Sequence, residues 1–174
     1  MNNFKTSKVM KLMDNIIYGY VDKDNKKHKD IGNEFSNTYQ LQSPSELIKS
    51  KLGVCWDQVE LERYYFNKEN IKCKTYFMVY YNNTSCPTHT FLVFFENDKY
   101  HWFEHSWERY RGIYEYETLE QLINDIREKF ISDQLILPIN IDNLYIYEYE
   151  TPKYNISCSE FYNYCEKGII LNIK

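Results

Sequence analysis

Val9, Leu12, Met13, Ile16, Ile17 and Tyr20 recur at the spacing of one helical face, which predicts an amphipathic N-terminal helix running to about residue 20. The charged stretch 22–30 that follows reads as a mobile loop, with His28 solvated in it. Ser45 ahead of Glu46, Leu47, Ile48 and Leu52 reads as the N-cap of a short helix that Gly53 ends, and a second helix is expected over residues 55–66. Residues 74–81 are extended and aromatic, and residues 82–85 close them as a loop. Residues 88–95 and 100–107 are two more strand-like runs, and the Asn97-Asp98 pair between them suits a two-residue hairpin turn. Leu119, Leu122, Ile123, Ile126 and Phe130 mark another amphipathic helix, and Leu144–Tyr149 alternates like a strand. Ser157 with Glu160 forms a capping box ahead of a last helix that Gly168 ends. The order predicts an α+β fold in which an antiparallel sheet of at least three strands packs against helices, with no internal repeat.

Composition narrows the class. A chain of 174 residues suits one domain with a core that needs no disulfide or metal staple. A formal net charge of −4 and a pI near 5.6 speak against a phosphate-tracking surface, so no nucleic-acid partner is expected. Aromatics reach 18% while Ala is absent, a bias that fits an AT-rich bacterial genome rather than a binding code. No window approaches the roughly 18 apolar residues of a membrane span, and Lys5, Lys8, Lys11 and Asp14 interrupt any secretory core at the N-terminus, which leads to the expectation of a cytoplasmic protein. Five irregularly spaced cysteines, Cys55, Cys73, Cys86, Cys158 and Cys165, argue for reduced thiols.

One cysteine stands apart. In Leu52-Gly53-Val54-Cys55-Trp56-Asp57 a glycine turn delivers Cys55 to the first turn of a helix, where roughly half a positive charge favours the nucleophilic thiolate. The Cys55 N–H, lacking an intrahelical partner there, is suited to an oxyanion at the attacked carbonyl. His89 opens a strand and is the candidate base, and Glu104 on the next strand is the candidate that orients it. With Asn97-Asp98 as a two-residue turn, Glu104 faces Phe91 and lies diagonal to His89, about 7–8 Å away at the backbone. A one-residue change in the turn would flip that parity and favour His105. The side-chain amide of Gln40 or Gln42 is a candidate second oxyanion donor.

Gly53-x-Cys55-Trp56-Asp57, a His at the head of a strand and Trp102-x-Glu104 on the following strand resemble the transglutaminase-like branch of the papain-type cysteine enzymes. The resemblance covers about residues 40–107 and leaves 108–174 without an assigned role. It implies a cysteine-bearing helix on an antiparallel sheet, with Cys55 as nucleophile, His89 as general base and acid, and Glu104 orienting His89; Trp56 and Trp102 support the site. It further implies acyl transfer from an amide of a protein or peptide through a thioester, with no cofactor. The family usually has Asp where Glu104 stands, and the cysteine signature of papain and cathepsin proper is absent, Leu52 and Val54 occupying its positions.

Two rival readings bound this one. Cys86, His89, His101 and His105 offer four zinc-type donors, but the hairpin sets His101 near Phe94, about 16 Å from His89 at roughly 3.3 Å per residue, so no metal is expected. The alternative to an enzyme is a catalytically silent module of the same fold whose tyrosine-rich sheet binds a protein partner. The oligomeric state has no signature in the chain.

Overall fold

The structure is a computed structural model describing residues 2–82, 85–134 and 140–172. Its elements are α1 (Asn2–Met13), β1 (Tyr20–Val21), β2 (Lys27–His28), α2 (Phe35–Thr38), α3 (Pro44–Ser50), α4 (Cys55–Lys68), β3 (Cys73–Tyr80), β4 (Thr88–Glu96), β5 (Lys99–Glu104), β6 (Gly112–Tyr116), α5 (Leu119–Asp133), β7 (Leu144–Tyr149), α6 (Cys158–Cys165) and β8 (Ile169–Ile170). Six strands form one antiparallel sheet in the order β6-β5-β4-β3-β7-β8, so the α+β plan read from the pattern is the fold.

Helices cover both faces of the sheet, which explains why β3 and β4 read as near-continuous aromatic runs rather than alternating ones. Phe77, Val79, Leu92, Phe94 and Phe103 pack towards α1, α3, α4 and α6, through Val9, Leu47, Val59, Phe66 and Phe161. On the opposite face Tyr76, Met78, Phe91, Val93 and Trp102 meet Leu122, Ile123, Ile126 and Phe130 of α5. At about 25 cal/mol per Å² of apolar surface removed from water, these two layers dominate the folding free energy. Through Arg63, α4 lies so deep that even its polar residues are buried, and Glu60 and Arg63 are paired accordingly. Arg63 Nε donates to Glu60 Oε2 at 3.0 Å, Tyr149 Oη donates to Glu60 Oε1 at 3.1 Å, and Arg63 reaches Thr75 Oγ1, tying α4 to β3 and β7.

The Asn97-Asp98 turn has both residues at positive φ, 52° and 60°, as a primed hairpin turn requires. Pairing from Glu96↔Lys99 to Leu92↔Phe103 follows the register expected for it. Helix α6 has its capping box, Ser157 Oγ accepting from Glu160 N while Ser157 N donates to Glu160 Oε2 at 2.8 Å.

Four local expectations are corrected. The N-terminal helix ends at Met13 rather than near residue 20: the chain turns, Ile17 bridges Leu52 in parallel, and Gly19 adopts φ +147°, where a Cβ would lie 2.4 Å from His28 O. The charged stretch is a hairpin of β1 and β2 closed by Asp22, whose Oδ1 accepts from Asp24 N and Lys26 N at 2.9 and 2.8 Å. His28 is not solvated there; it stacks on Tyr20 at 4.5 Å and meets Asp22 Oδ2 at 2.7 Å. The cap of α3 is Ser43, not Ser45, with Pro44 in the first helical position and Glu46 completing the box. Of the loop expected over residues 82–85, Asn83 and Thr84 lie outside the described residues. Strands β6 and β8 were not foreseen; the first is only half-buried and the second is two residues long, too little pattern to read. Among the described residues no helix is long and apolar enough to cross a membrane.

Candidate active site

The first residue of α4 is Cys55, and the local sequence explains why a helix starts there. Val54 is extended (ψ 175°) and no side chain at the cap accepts a bond, so Asp57 does the work from inside the first turn: its Oδ2 accepts Val54 N–H at 3.0 Å. Its Oδ1 accepts from Tyr39 Oη and Gln42 N, both at 2.9 Å, anchoring the helix start to the preceding segment. Burial pushes the Asp57 carboxyl up to about 7 against the pull of those three donors. Gly53 leaves no room for a Cβ, which would stand 2.6 Å from Leu47 Cδ1, so the close approach of α3 to this turn requires glycine.

Helix α4 and the sheet are joined beside the cysteine. Trp56 Nε1, one residue after Cys55, donates to Thr88 Oγ1, one residue before His89, at 3.2 Å. The Trp56 ring, buried, stacks on Phe161 at 4.7 Å. Cys55 and His89 are therefore brought together by a bond between their neighbours, with the rest of α4 running back under the sheet. Both line a cavity of about 350 Å³ together with Tyr18, Thr88, Ser106 and Trp107.

His89 Nε2 meets Glu104 Oε2 at 2.8 Å, both residues buried. A carboxylate can only accept, so the hydrogen sits on Nε2 and leaves Nδ1 as the nitrogen that can take a proton from a thiol. The other Glu104 oxygen accepts Trp107 N–H at 2.7 Å and Ser106 O–H at 2.9 Å, so the carboxylate is held by three donors on two sides. Trp107 also sets its ring edge-on to His89, centroids 4.8 Å apart. Burial alone would lower the His89 pKa, but the charge of Glu104 and the hydrogen-bonding proximity of Cys55 outweigh it and raise it well above the ordinary histidine value. Glu104 moves the opposite way: burial resists, yet His89 and the Trp107 and Ser106 donors hold it below the usual carboxylate value. The two shifts agree on an ion pair.

The signs give a testable pH window. A histidine raised on folding contributes stability below its unfolded value of about 6.5 and loses it as pH rises, while a carboxylate lowered on folding contributes above about 4.5 and loses it as pH falls. The pair therefore stabilises most between those limits. In Glu104→Gln the largest charge that opposes burial is gone, so the His89 ring, observed by NMR through its Cε1–H, is expected to titrate at a clearly lower pH than in the wild type. A Glu104→Gln protein whose His89 titrates as it does in the wild type contradicts the ion pair.

His105 points elsewhere, as the hairpin register requires. Its Nδ1–H donates to Gln58 Oε1 at 2.6 Å and Gln58 Nε2 donates to Gly53 O at 2.8 Å, bracing the turn before Cys55. Burial, then the Arg111 charge, drives its pKa down to about 4, so it stays neutral. His101 stacks on Phe94 at 4.6 Å on the α4 face. Among the described residues no three His, Cys, Asp or Glu side chains cluster as a metal site.

The glutamines are corrected by position. Gln42 Nε2 donates to Leu52 O at 2.8 Å and its Oε1 accepts from Ser50 Oγ at 2.7 Å, so its amide is spent on the connection between α3 and α4. Gln40, in an antiparallel bridge with Ser157, lines a separate polar depression with Gln42. Neither lines the Cys55 cavity. Trp102 lies in the α5-side core, stacked on Tyr114 at 4.9 Å, and supports Trp107 from behind.

Tyr18 is the site residue the sequence reading missed. The helical spacing through Tyr20 hid it, because the chain leaves the helix at Met13 and crosses back over the turn before α4. Ile17 N donates to Lys51 O at 3.0 Å and Ile17 O accepts from Gly53 N at 3.1 Å, which holds Tyr18 over Cys55. Burial of its hydroxyl, then the proximity of Cys55, raises the Tyr18 pKa far above the ordinary phenol value, although 47% of the residue's surface is exposed.

On its other side Cys55 opens into a groove of about 940 Å³ lined by Phe35, Trp56, Tyr81, Pro87 and Tyr162 among others. Helix α6 forms one wall of it through Cys158, Ser159, Tyr162 and Glu166, giving the C-terminal part a place at the site. The remaining thiols are of another kind: burial pushes Cys73 and Cys158 up to about 11 and Cys165 higher still, and Cys86 is exposed. A family profile described as a transglutaminase-like domain matches residues 2–122. No curated protein matches the chain.

Proposed function

Because this chain belongs to the transglutaminase-like family, we propose that it is a cysteine-dependent acyl-transfer enzyme acting on an amide of a protein or peptide. The observation that carries the reading is the buried His89–Glu104 pair at 2.8 Å, facing the cavity into which the cysteine at the start of α4 also opens. With its proton already held on His89 Nδ1, in the imidazolium that Glu104 stabilises, the Cys55 sulfur attacks the carbonyl carbon. The carbonyl electron pair moves to oxygen, beside the Cys55 N–H at the helix N-terminus. When the tetrahedral species collapses, the imidazolium returns the proton to the departing amine and a thioester remains. Water or a second amine, deprotonated by His89, then takes the acyl group.

Space on both sides of Cys55 fits this scheme. The larger groove suits the acyl portion of an extended chain, and the smaller cavity beside His89 suits the leaving or entering amine. A site open in two directions favours a polypeptide over a compact metabolite.

The test uses p-nitrophenyl acetate as acyl donor, with peptide mass spectrometry of every cysteine. Wild type is expected to carry an acetyl group on Cys55, formed far faster than on exposed Cys86. Cys55→Ala is expected to lose it while melting within a few degrees of wild type, since a small buried side chain replaces another. Acetylation of Cys86 alone in the wild type would instead assign the fold a binding role.

A further inference from the structure

Resting on that reading, we infer that the Tyr18 hydroxyl is the second hydrogen-bond donor to the oxyanion formed on Cys55. An oxyanion needs donors aimed at the place where charge develops, and one backbone N–H from a helix end supplies only part of that need. The amide of Gln42 is committed to Leu52 O and Ser50 Oγ, that of Gln58 to Gly53 O and His105 Nδ1, and Gln40 lines a separate depression. Tyr18, by contrast, lines both spaces that meet at Cys55, the cavity beside His89 and the larger groove. A carbonyl attacked by the thiol must lie between them.

The backbone fixes this placement. Ile17 is bonded on both sides to Lys51 and Gly53, the segment that delivers Cys55, so the tyrosine and the nucleophile ride on one rigid unit. Ile16 is buried beneath it and Gly19 makes the turn just after it. Such anchoring gives the fixed donor direction that preorganised stabilisation demands. A phenol whose burial raises its pKa above the ordinary value remains a donor around neutral pH. In the step itself the C–S bond forms, the carbonyl π pair moves to oxygen, and Tyr18 O–H donates to that oxygen without transferring its proton. Collapse breaks the bond to the leaving group, and the hydrogen bond is released.

The test compares two reactions of the same thiol. Acetylation by p-nitrophenyl acetate passes through an oxyanion, whereas alkylation by iodoacetamide is a displacement at carbon that forms none. Tyr18→Phe is expected to slow acetylation of Cys55 by about 10²-fold, the usual loss for one such donor, while the alkylation rate stays within about threefold. Two results overturn the assignment: unchanged acetylation in Tyr18→Phe, or a rise of both rates together, which would make Tyr18 a cover over the thiol. Absence of Cys55 acetylation in the wild type removes the parent reading, and this one with it. A wild-type rate that Tyr18→Phe preserves removes this one alone.

Discussion

His89→Gln is expected to lower the rate of Cys55 acetylation by roughly 10³-fold, within the range assigned to a positioned general base. The thiolate attacks, not the thiol, and in the proposed scheme His89, which lines the same cavity as Cys55, is the proton acceptor. Gln is the informative replacement because its amide N–H can still reach Glu104. His89→Ala would leave a buried carboxylate facing an empty space, a cost of several kcal/mol that confuses folding with chemistry. The effect should also separate by pH. Iodoacetamide labelling of Cys55 at pH 6 in the wild type is expected to outrun that of Cys73, Cys158 and Cys165, whose burial opposes ionisation, and to fall to their level in His89→Gln. Acetylation in His89→Gln within threefold of wild type, on a protein that melts normally, would remove His89 from the mechanism.

The part of this site that was legible in the sequence is the part set by local rules. Asn97 and Asp98 are two residues that tolerate positive φ, and once they are read as a two-residue turn the register follows and places Glu104 beside His89. The Gly53-to-Cys55 helix entry is equally local, although its true cap, Asp57, works from the third helical position with Tyr39 and Gln42 as partners. Tyr18 obeys no local rule. Its neighbours Ile16, Ile17 and Tyr20 continue the helical spacing of α1, so the pattern argues for a helix that the anchoring to Lys51 and Gly53 overrides. The α6 wall of the groove was illegible for the same reason: the capping box announces a helix but not what that helix packs against. Gln42 shows the reverse error, a residue of suitable chemistry committed to the backbone of a loop that sequence reading treated as a simple stop.

The second large effect is on stability, and it comes from the other face of the sheet. Trp102→Ala is expected to cost about 3–5 kcal/mol, which for a chain of this length lowers the melting temperature by on the order of 10 °C. Trp102 is fully buried, stacked on Tyr114 at 4.9 Å with Tyr110 and Trp107 both 6.4 Å away, so its removal opens a cavity that three rigid rings cannot refill. Its buried indole Nε1 has no hydrogen-bond partner among the described residues, so the side chain stabilises chiefly through apolar contact. Trp102→Phe tests that inference: it keeps much of the contact and removes an unsatisfied N–H, so it is expected to cost less than half as much. Differential scanning calorimetry reads both. The two substitutions should also differ at the site, because Trp107 stands between Trp102 and His89 and gives its N–H to Glu104. Trp102→Ala lets Trp107 shift and should slow Cys55 acetylation well below its melting temperature, while Trp102→Phe holds Trp107 in place and should not. A Trp102→Ala protein that melts within about 2 °C of wild type would mean that this layer does not carry the sheet.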